Sequence, residues 1–217
     1  MRCRAVLFDL DGTLLDSLED LADAANRVLL ARGFPTHTVD SYRYFVGDGP
    51  TMLITRTLPE NQRDGDTIRT CVEAYLEQYR RNWKVKTKPY EGVAEMLDEL
   101  TARRLKMAVL SNKRHEFTER CVSDLLPNWT FDVVLGERDG VPRKPDPTGA
   151  LEVAAHVNVP PADFIYLGDS AVDMKCAISA DMFPVGALWG YRSAAELQES
   201  GAQALIKHPL EILDLLD

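Results

Sequence analysis

Five short, almost unbroken apolar runs constrain this chain most: Ala5–Phe8, Met107–Leu110, Phe131–Leu135, Phe164–Leu167 and Phe183–Leu188. A strand with one wet face alternates apolar and polar residues. A run that is apolar throughout needs cover on both faces, as in a parallel sheet flanked by helices. From residue 89 onward, amphipathic segments separate the runs. Glu91–Arg103 sets Val93, Met96, Leu97 and Leu100 on one stripe. Thr148–Val157 follows Asp146 as N-cap and Pro147 as first helical residue, and Ser193 to Glu196 has the spacing of a capping box. Strand and helix in alternation predict an α/β fold built on a doubly wound parallel sheet.

Residues 17–83 break the pattern, with helical signals and no strand. Ser17-Leu-Glu-Asp20 reads as a capping box opening a helix that carries Leu18, Leu21, Ala25, Val28 and Leu29 and stops at Gly33. Further helical runs are Val39–Phe45, Thr51–Leu58 and Thr67–Asn82. The expected organisation is an α/β core of residues 1–15 and 84–217 with a helical domain, residues 16–83, inserted after the first strand. A length of 217 residues allows one to two domains at about 150 residues each.

Composition narrows the partners. With 25 Lys and Arg against 34 Asp and Glu, the net charge is −9, which disfavours nucleic acid and anionic membrane surfaces. No stretch approaches the roughly 20 apolar residues of a membrane helix, and the apolar run after Met1 is too short for a signal peptide, so a cytoplasmic location is expected. Cys3, Cys71, Cys121 and Cys176 lie far apart without zinc spacing and read as reduced, packed thiols. The four histidines show no metal spacing, and none is assigned to catalysis.

The first apolar run leads directly into Asp9-Leu10-Asp11-Gly12-Thr13-Leu14. Carboxylates at i and i+2 on extended backbone point to one side. Two anions so placed suit a hard, oxygen-liganded cation such as magnesium, and Gly12 lets the backbone turn close to an anion. Taken alone, this motif reads slightly better as a solvated strand end. Other strands change that balance. Met107–Leu110 is followed by Ser111-Asn112-Lys113, and Phe164–Gly168 by Asp169 and Asp173, while Arg143-Lys144-Pro145 lies in a proline-rich loop between them. Open α/β sheets bind ligands beyond the carboxyl ends of their strands. One rim is therefore expected to gather Asp9, Asp11, Ser111, Asn112, Lys144, Asp169 and Asp173. Four carboxylates facing one lysine call for a further cation, the signature of a magnesium site serving a phosphate.

In these motifs the chain resembles the haloacid dehalogenase-like superfamily: Asp9–Leu14, Ser111, Lys144 and Gly168–Asp173 match its four motifs in order and spacing. Tyr44-Phe-Val-Gly-Asp-Gly49, Ser111-Asn-Lys113, Lys144-Pro-Asp-Pro147 and Trp189-Gly-Tyr191 are similar to the phosphoglycolate phosphatase branch. The resemblance implies a Rossmann-like core with an inserted helical cap that closes on hinges near Leu14–Ser17 and Trp83–Pro89. It implies a magnesium-dependent phosphatase acting on a small anionic phosphorylated metabolite, above all 2-phosphoglycolate, through an aspartyl-phosphate. Asp9 would be the nucleophile and Asp11 the acid and base, with Ser111 and Lys144 holding the phosphoryl group. Gly12, Thr13, Asn112, Gly47 and Gly49 would contact substrate. Asp9, Asp11 through its backbone carbonyl and Asp169 would hold Mg2+, with Asp173 supporting them. The protein would be a monomer or homodimer. Three alternatives stay open: another small phosphate such as a sugar phosphate or pyrophosphate, a phosphomutase, and a non-catalytic fold relative. Arg43, Arg56 and Lys113 are all open as the cation for a substrate carboxylate.

Overall fold

The computed structural model describes residues 3–216 and divides into two compact units, one formed by the chain up to Leu15 and from Pro89 onward, the other by Asp16–Lys88. The larger unit is built on six strands: β1 (Ala5–Phe8), β4 (Lys106–Arg114), β5 (Val133–Glu137), β6 (Phe164–Gly168), β7 (Phe183–Ala187) and β8 (Ala204–Ile206). Their order is β5-β4-β1-β6-β7-β8, and every neighbouring pair is parallel. The helices of this unit are α4 (Val93–Ala102), α5 (His115–Leu125), α6 (Thr148–Val157), α7 (Ala171–Ser179) and α8 (Ala194–Glu199). All of β1 and all of β6 is buried, as unbroken apolar runs require. Leu7, Leu110, Val153, Phe164 and Tyr166 belong to one core cluster.

Several strands differ from the sequence expectation. β5 begins at Val133 and not at Phe131, because Asp132 takes over the local bonding: its carboxylate accepts from Met107 N at 3.1 Å and from Lys106 Nζ at 2.6 Å. β4 does not end at Leu110 but runs on to Arg114, with a register shift that sets Leu110–Arg114 against Leu135–Glu137. β8 carried no sequence signal, since a three-residue edge strand is too short to show a period.

Register positions the site. Phe8 is level with Val109 on one side and Leu167 on the other. Ser111 and Asp169 therefore emerge one residue beyond the level of Asp9, at the same edge of the sheet.

The smaller unit holds α1 (Leu18–Ala31), α2 (Gly49–Thr57) and α3 (Gly65–Asn82), with a short 3-10 turn at Asp40–Tyr44 where the sequence suggested a helix. The connecting pieces β2 (Leu15–Asp16) and β3 (Lys88–Pro89) pair as a two-stranded sheet. Gly33 ends α1 in a Schellman arrangement: Phe34 N donates to Leu29 O at 2.9 Å and Gly33 N to Leu30 O at 3.1 Å. Asp64, unnoticed in the sequence, caps α3 by accepting from Asp66 N and Thr67 N. Buried Tyr42 donates to Asn26 Oδ1 at 2.8 Å, and the same oxygen accepts from His37 N at 3.0 Å.

The capping box expected at Ser17 is not used as one, for Ser17 makes no side-chain cap bond to α1. The buried Asp20 carboxylate instead accepts from Lys86 N at 2.9 Å, Thr87 N at 2.8 Å and Thr87 Oγ1 at 2.7 Å. Lys86 also pairs through Nζ with Asp23 and Glu19. Residues 84–88 thus group with the helices, which carries this unit up to Lys88. Among the described residues no helix is long and apolar enough to cross a membrane. All four cysteines are free and buried, and burial pushes the thiols up, Cys121 to about 11 and Cys176 to about 12.

Removing a buried acceptor of three donors leaves them unsatisfied. Asp20→Ala is expected to lower the unfolding free energy by about 3 kcal/mol, read from urea denaturation followed by far-UV circular dichroism. A loss below about 1 kcal/mol would show that the returning segment is held by other contacts.

Candidate active site

The site is built around Lys144. Its ammonium has three protons, and the structure gives each an acceptor: Asp9 Oδ1 at 2.7 Å, Asp173 Oδ1 at 2.7 Å and Leu110 O at 2.9 Å. Lys144 is held from its backbone by Asn112, whose Oδ1 accepts from Lys144 N at 2.9 Å and whose Nδ2 donates to Lys144 O at 3.1 Å. The Lys144–Pro145 peptide bond is cis. The side chain of Asn112 is therefore a clamp on the lysine, a role that its motif did not reveal.

Asp173 divides its two oxygens. Oδ1 takes Lys144, while Oδ2 accepts from Ser170 N at 3.1 Å and from the Ser170 hydroxyl at the start of α7. Helix capping and support of the lysine coexist in one carboxylate.

Asp169 lies in a cradle of main chain. Its Oδ2 accepts from Tyr191 N at 2.7 Å, and its Oδ1 accepts from Thr13 Oγ1 at 3.4 Å. The Trp189 indole donates to Thr13 O at 2.9 Å. Gly12 has φ +93°, and a Cβ on either Gly12 or Gly190 would collide with the Asp169 carboxylate. Glycine at both places lets the backbone approach that carboxylate closely. Trp189-Gly-Tyr191, a sequence signature without an evident role, is part of the wall around Asp169.

Oxygens of Asp9, Asp169 and Asp173 lie within 4.8 Å of one another. These are three buried carboxylates against a single buried ammonium. Burial holds the Asp9 carboxyl up at about 7, against the opposing pull of Lys144, and the charges of Asp173 and Asp11 add to the rise. Asp169 is pushed well above the usual carboxylate range by burial and then by Asp9 and Asp173. Burial works against the charged form of Lys144, but the Asp173 and Asp9 charges outweigh it and hold the amine above its ordinary value. An all-oxygen set with surplus negative charge, cradled by glycines, fits a hard divalent cation such as Mg2+.

The sequence placed four carboxylates around one lysine, and the structure corrects this. Asp11 has a lysine of its own: Lys113 Nζ donates to its oxygens at 2.9 and 2.8 Å. The Asp11 side chain is outside the carboxylate cluster. Ser111 is buried on the irregular end of β4 and accepts from Lys113 N at 3.2 Å. Gly47 and Gly49 belong to the helical unit, both with positive φ, beside Asp48, which pairs with Arg56.

Acidic and polar groups from several strand ends, gathered around a buried lysine, define an enzyme working at the carboxyl edge of a parallel sheet. The family model for haloacid dehalogenase-like hydrolases matches residues 6–187. A phosphoglycolate phosphatase of Xylella fastidiosa (strain 9a5c) is 37% identical over 192 residues, covering 88% of this chain and 82% of that protein. One from Aquifex aeolicus is 29% identical over 214 residues, covering 99% and 97%. The solved structure of a candidate phosphoglycolate phosphatase from Lactobacillus delbrueckii subsp. bulgaricus superposes with a TM-score of 0.93 at 28% identity, covering 100% and 99%. The chain belongs to the haloacid dehalogenase-like hydrolase family, and it is an enzyme of the phosphatase kind.

Lys144→Met leaves Asp9 and Asp173 buried without their counter-charge and is expected to cost about 3–5 kcal/mol at pH 7.5. A carboxyl raised to about 7 stays protonated in the folded state above the pH where it ionises in the unfolded chain. Its folding contribution therefore falls as pH rises toward 7. The Lys144→Met deficit is expected to shrink at pH 5.5, measured by urea denaturation at the two pH values. An equal deficit at both would contradict the charge argument.

Proposed function

We propose that the protein is a magnesium-dependent phosphatase for a small phosphorylated metabolite, 2-phosphoglycolate in the first place, working in the cytoplasm. The observation that carries this reading is the Asp9 carboxylate, held by Lys144 at 2.7 Å and within 4.8 Å of Asp169 and Asp173. The similarity of the chain to phosphoglycolate phosphatases supports that choice of substrate.

Asp9 attacks phosphorus through a carboxylate oxygen. The bond from phosphorus to the ester oxygen breaks, and the Asp11 carboxyl gives its proton to that oxygen as the alcohol leaves. Asp11, now ionised, takes a proton from water as the water oxygen attacks the aspartyl-phosphate. The P–O bond to Asp9 breaks, inorganic phosphate departs, and both carboxyls return to their starting states. Lys144 aligns Asp9 and offsets charge on the phosphoryl oxygens, while Ser111 hydrogen-bonds them. Asn112 keeps Lys144 in place, and Asp173 fixes its direction. Asp9, Asp169 and the Asp11 backbone carbonyl would hold Mg2+, which supplies charge neutralisation so that one anion can approach another.

Phosphate release from a metabolite panel is expected to be fastest with 2-phosphoglycolate and to require Mg2+, and Asp9→Asn should lower it at least about 1000-fold. Fast release from other esters with none from 2-phosphoglycolate rejects the substrate, and release by Asp9→Asn at the wild-type rate rejects the mechanism. Mg2+ binding competes with protons on the raised carboxyls. A few millimolar Mg2+ should therefore raise the melting temperature by about 3 °C or more at pH 8 and by about 1 °C or less at pH 5.5, and Asp169→Asn should abolish the shift.

A further inference from the structure

We propose that Lys113 is a specificity-determining residue, whose amine binds a carboxylate carried by the leaving group beside the scissile oxygen. The inference rests on the reading of Asp11 as the acid that serves that oxygen.

The Lys113 amine lies 2.8 and 2.9 Å from the two Asp11 oxygens, and its side chain is only 7% exposed. Its place is built into the strand. Between Leu110 and Arg114, β4 shifts register against β5, and such irregularities re-aim side chains at sheet edges. Lys113 N donates to Ser111 Oγ at 3.2 Å, and Lys113 O accepts from Thr118 Oγ1 at 3.2 Å. Gly136 leaves room for this main chain, since a Cβ there would lie 2.6 Å from Lys113 O.

Chemistry connects this amine to the substrate. In a phosphorylated 2-hydroxy acid, one carbon separates the carboxylate from the scissile oxygen. A group that touches the acid at that oxygen is therefore within reach of the carboxylate. Without a cation, the substrate carboxylate would be drawn out of water beside the Asp11 carboxyl with no counter-charge. An ammonium can serve three acceptors, so one amine can bridge Asp11 and the incoming carboxylate. The other candidates are engaged elsewhere. Arg56 donates to Phe45 O at 3.0 Å and pairs with Asp48, Arg43 pairs with Asp40 at 3.0 Å, and Lys144 has an acceptor for each proton.

The test compares 2-phosphoglycolate with 2-hydroxyethyl phosphate, which replaces the carboxylate by a neutral alcohol of similar size. Wild type, Lys113→Met and Lys113→Arg are assayed for kcat and KM on both, with Mg2+ present. In Lys113→Met, kcat/KM for phosphoglycolate should fall at least tenfold further than that for hydroxyethyl phosphate, chiefly through a higher KM, and Lys113→Arg should restore part of the difference. Equal losses on both esters, carried by kcat, would overturn the proposal and make Lys113 a positioning residue for Asp11. A wild type that cleaves hydroxyethyl phosphate but not phosphoglycolate overturns the substrate reading and this inference together. A wild-type preference that survives in Lys113→Met overturns the inference alone.

Discussion

The buried ammonium of Lys144, shared between Asp9 and Asp173, is the interaction on which the site depends. It comes from a loop, while the two carboxylates come from the end of β1 and the start of α7. Burying two carboxylates without a cation would be prohibitive, so the lysine makes their approach possible. Its geometry is in turn imposed by Asn112 and by Leu110 O, both on β4. One ion-pair network thus joins three separate stretches of the α/β unit. Because the lysine does not neutralise Asp169 as well, the site keeps a surplus of negative charge that suits a divalent cation.

The parallel sheet supplies the other half of the design. Strands whose paired residues end level deliver the next side chains to a common edge. The interior strands are buried on both faces, so a slip in register would draw the polar residues that flank them into the core. The polar positions that follow inherit this accuracy. The register shift at the end of β4 is the exception, and there Ser111, Asn112 and Lys113 each take a different partner: the backbone of Lys113, the backbone of Lys144 and the carboxylate of Asp11.

Much of the architecture was legible because its determinants are local. Apolar runs announce strands, Gly33 announces a helix end, and the motif at Asp9 announces a strand edge with chemistry. Where reading failed, a residue with a good local role had been recruited by a distant one. Ser17 and Asp20 have capping-box spacing, yet Asp20 binds Lys86 and Thr87, 66 and 67 residues away. Asp11 meets Lys113 across 102 positions, and no period or spacing in one sequence marks such a pair. Phe131 looked like the start of a strand until Asp132 took the hydrogen bond that the strand would have used.

By itself, the amino-acid sequence determined the parallel α/β class, the presence of a helical insertion and the residue types available for phosphoryl chemistry, because periodicity and short motifs are properties of neighbouring residues. Only the tertiary structure decided which lysine faces which carboxylate, that Asn112 clamps Lys144, and that Gly12, Gly190 and Tyr191 enclose Asp169. Those choices depend on distances between segments far apart in the chain, and the packed sheet sets them.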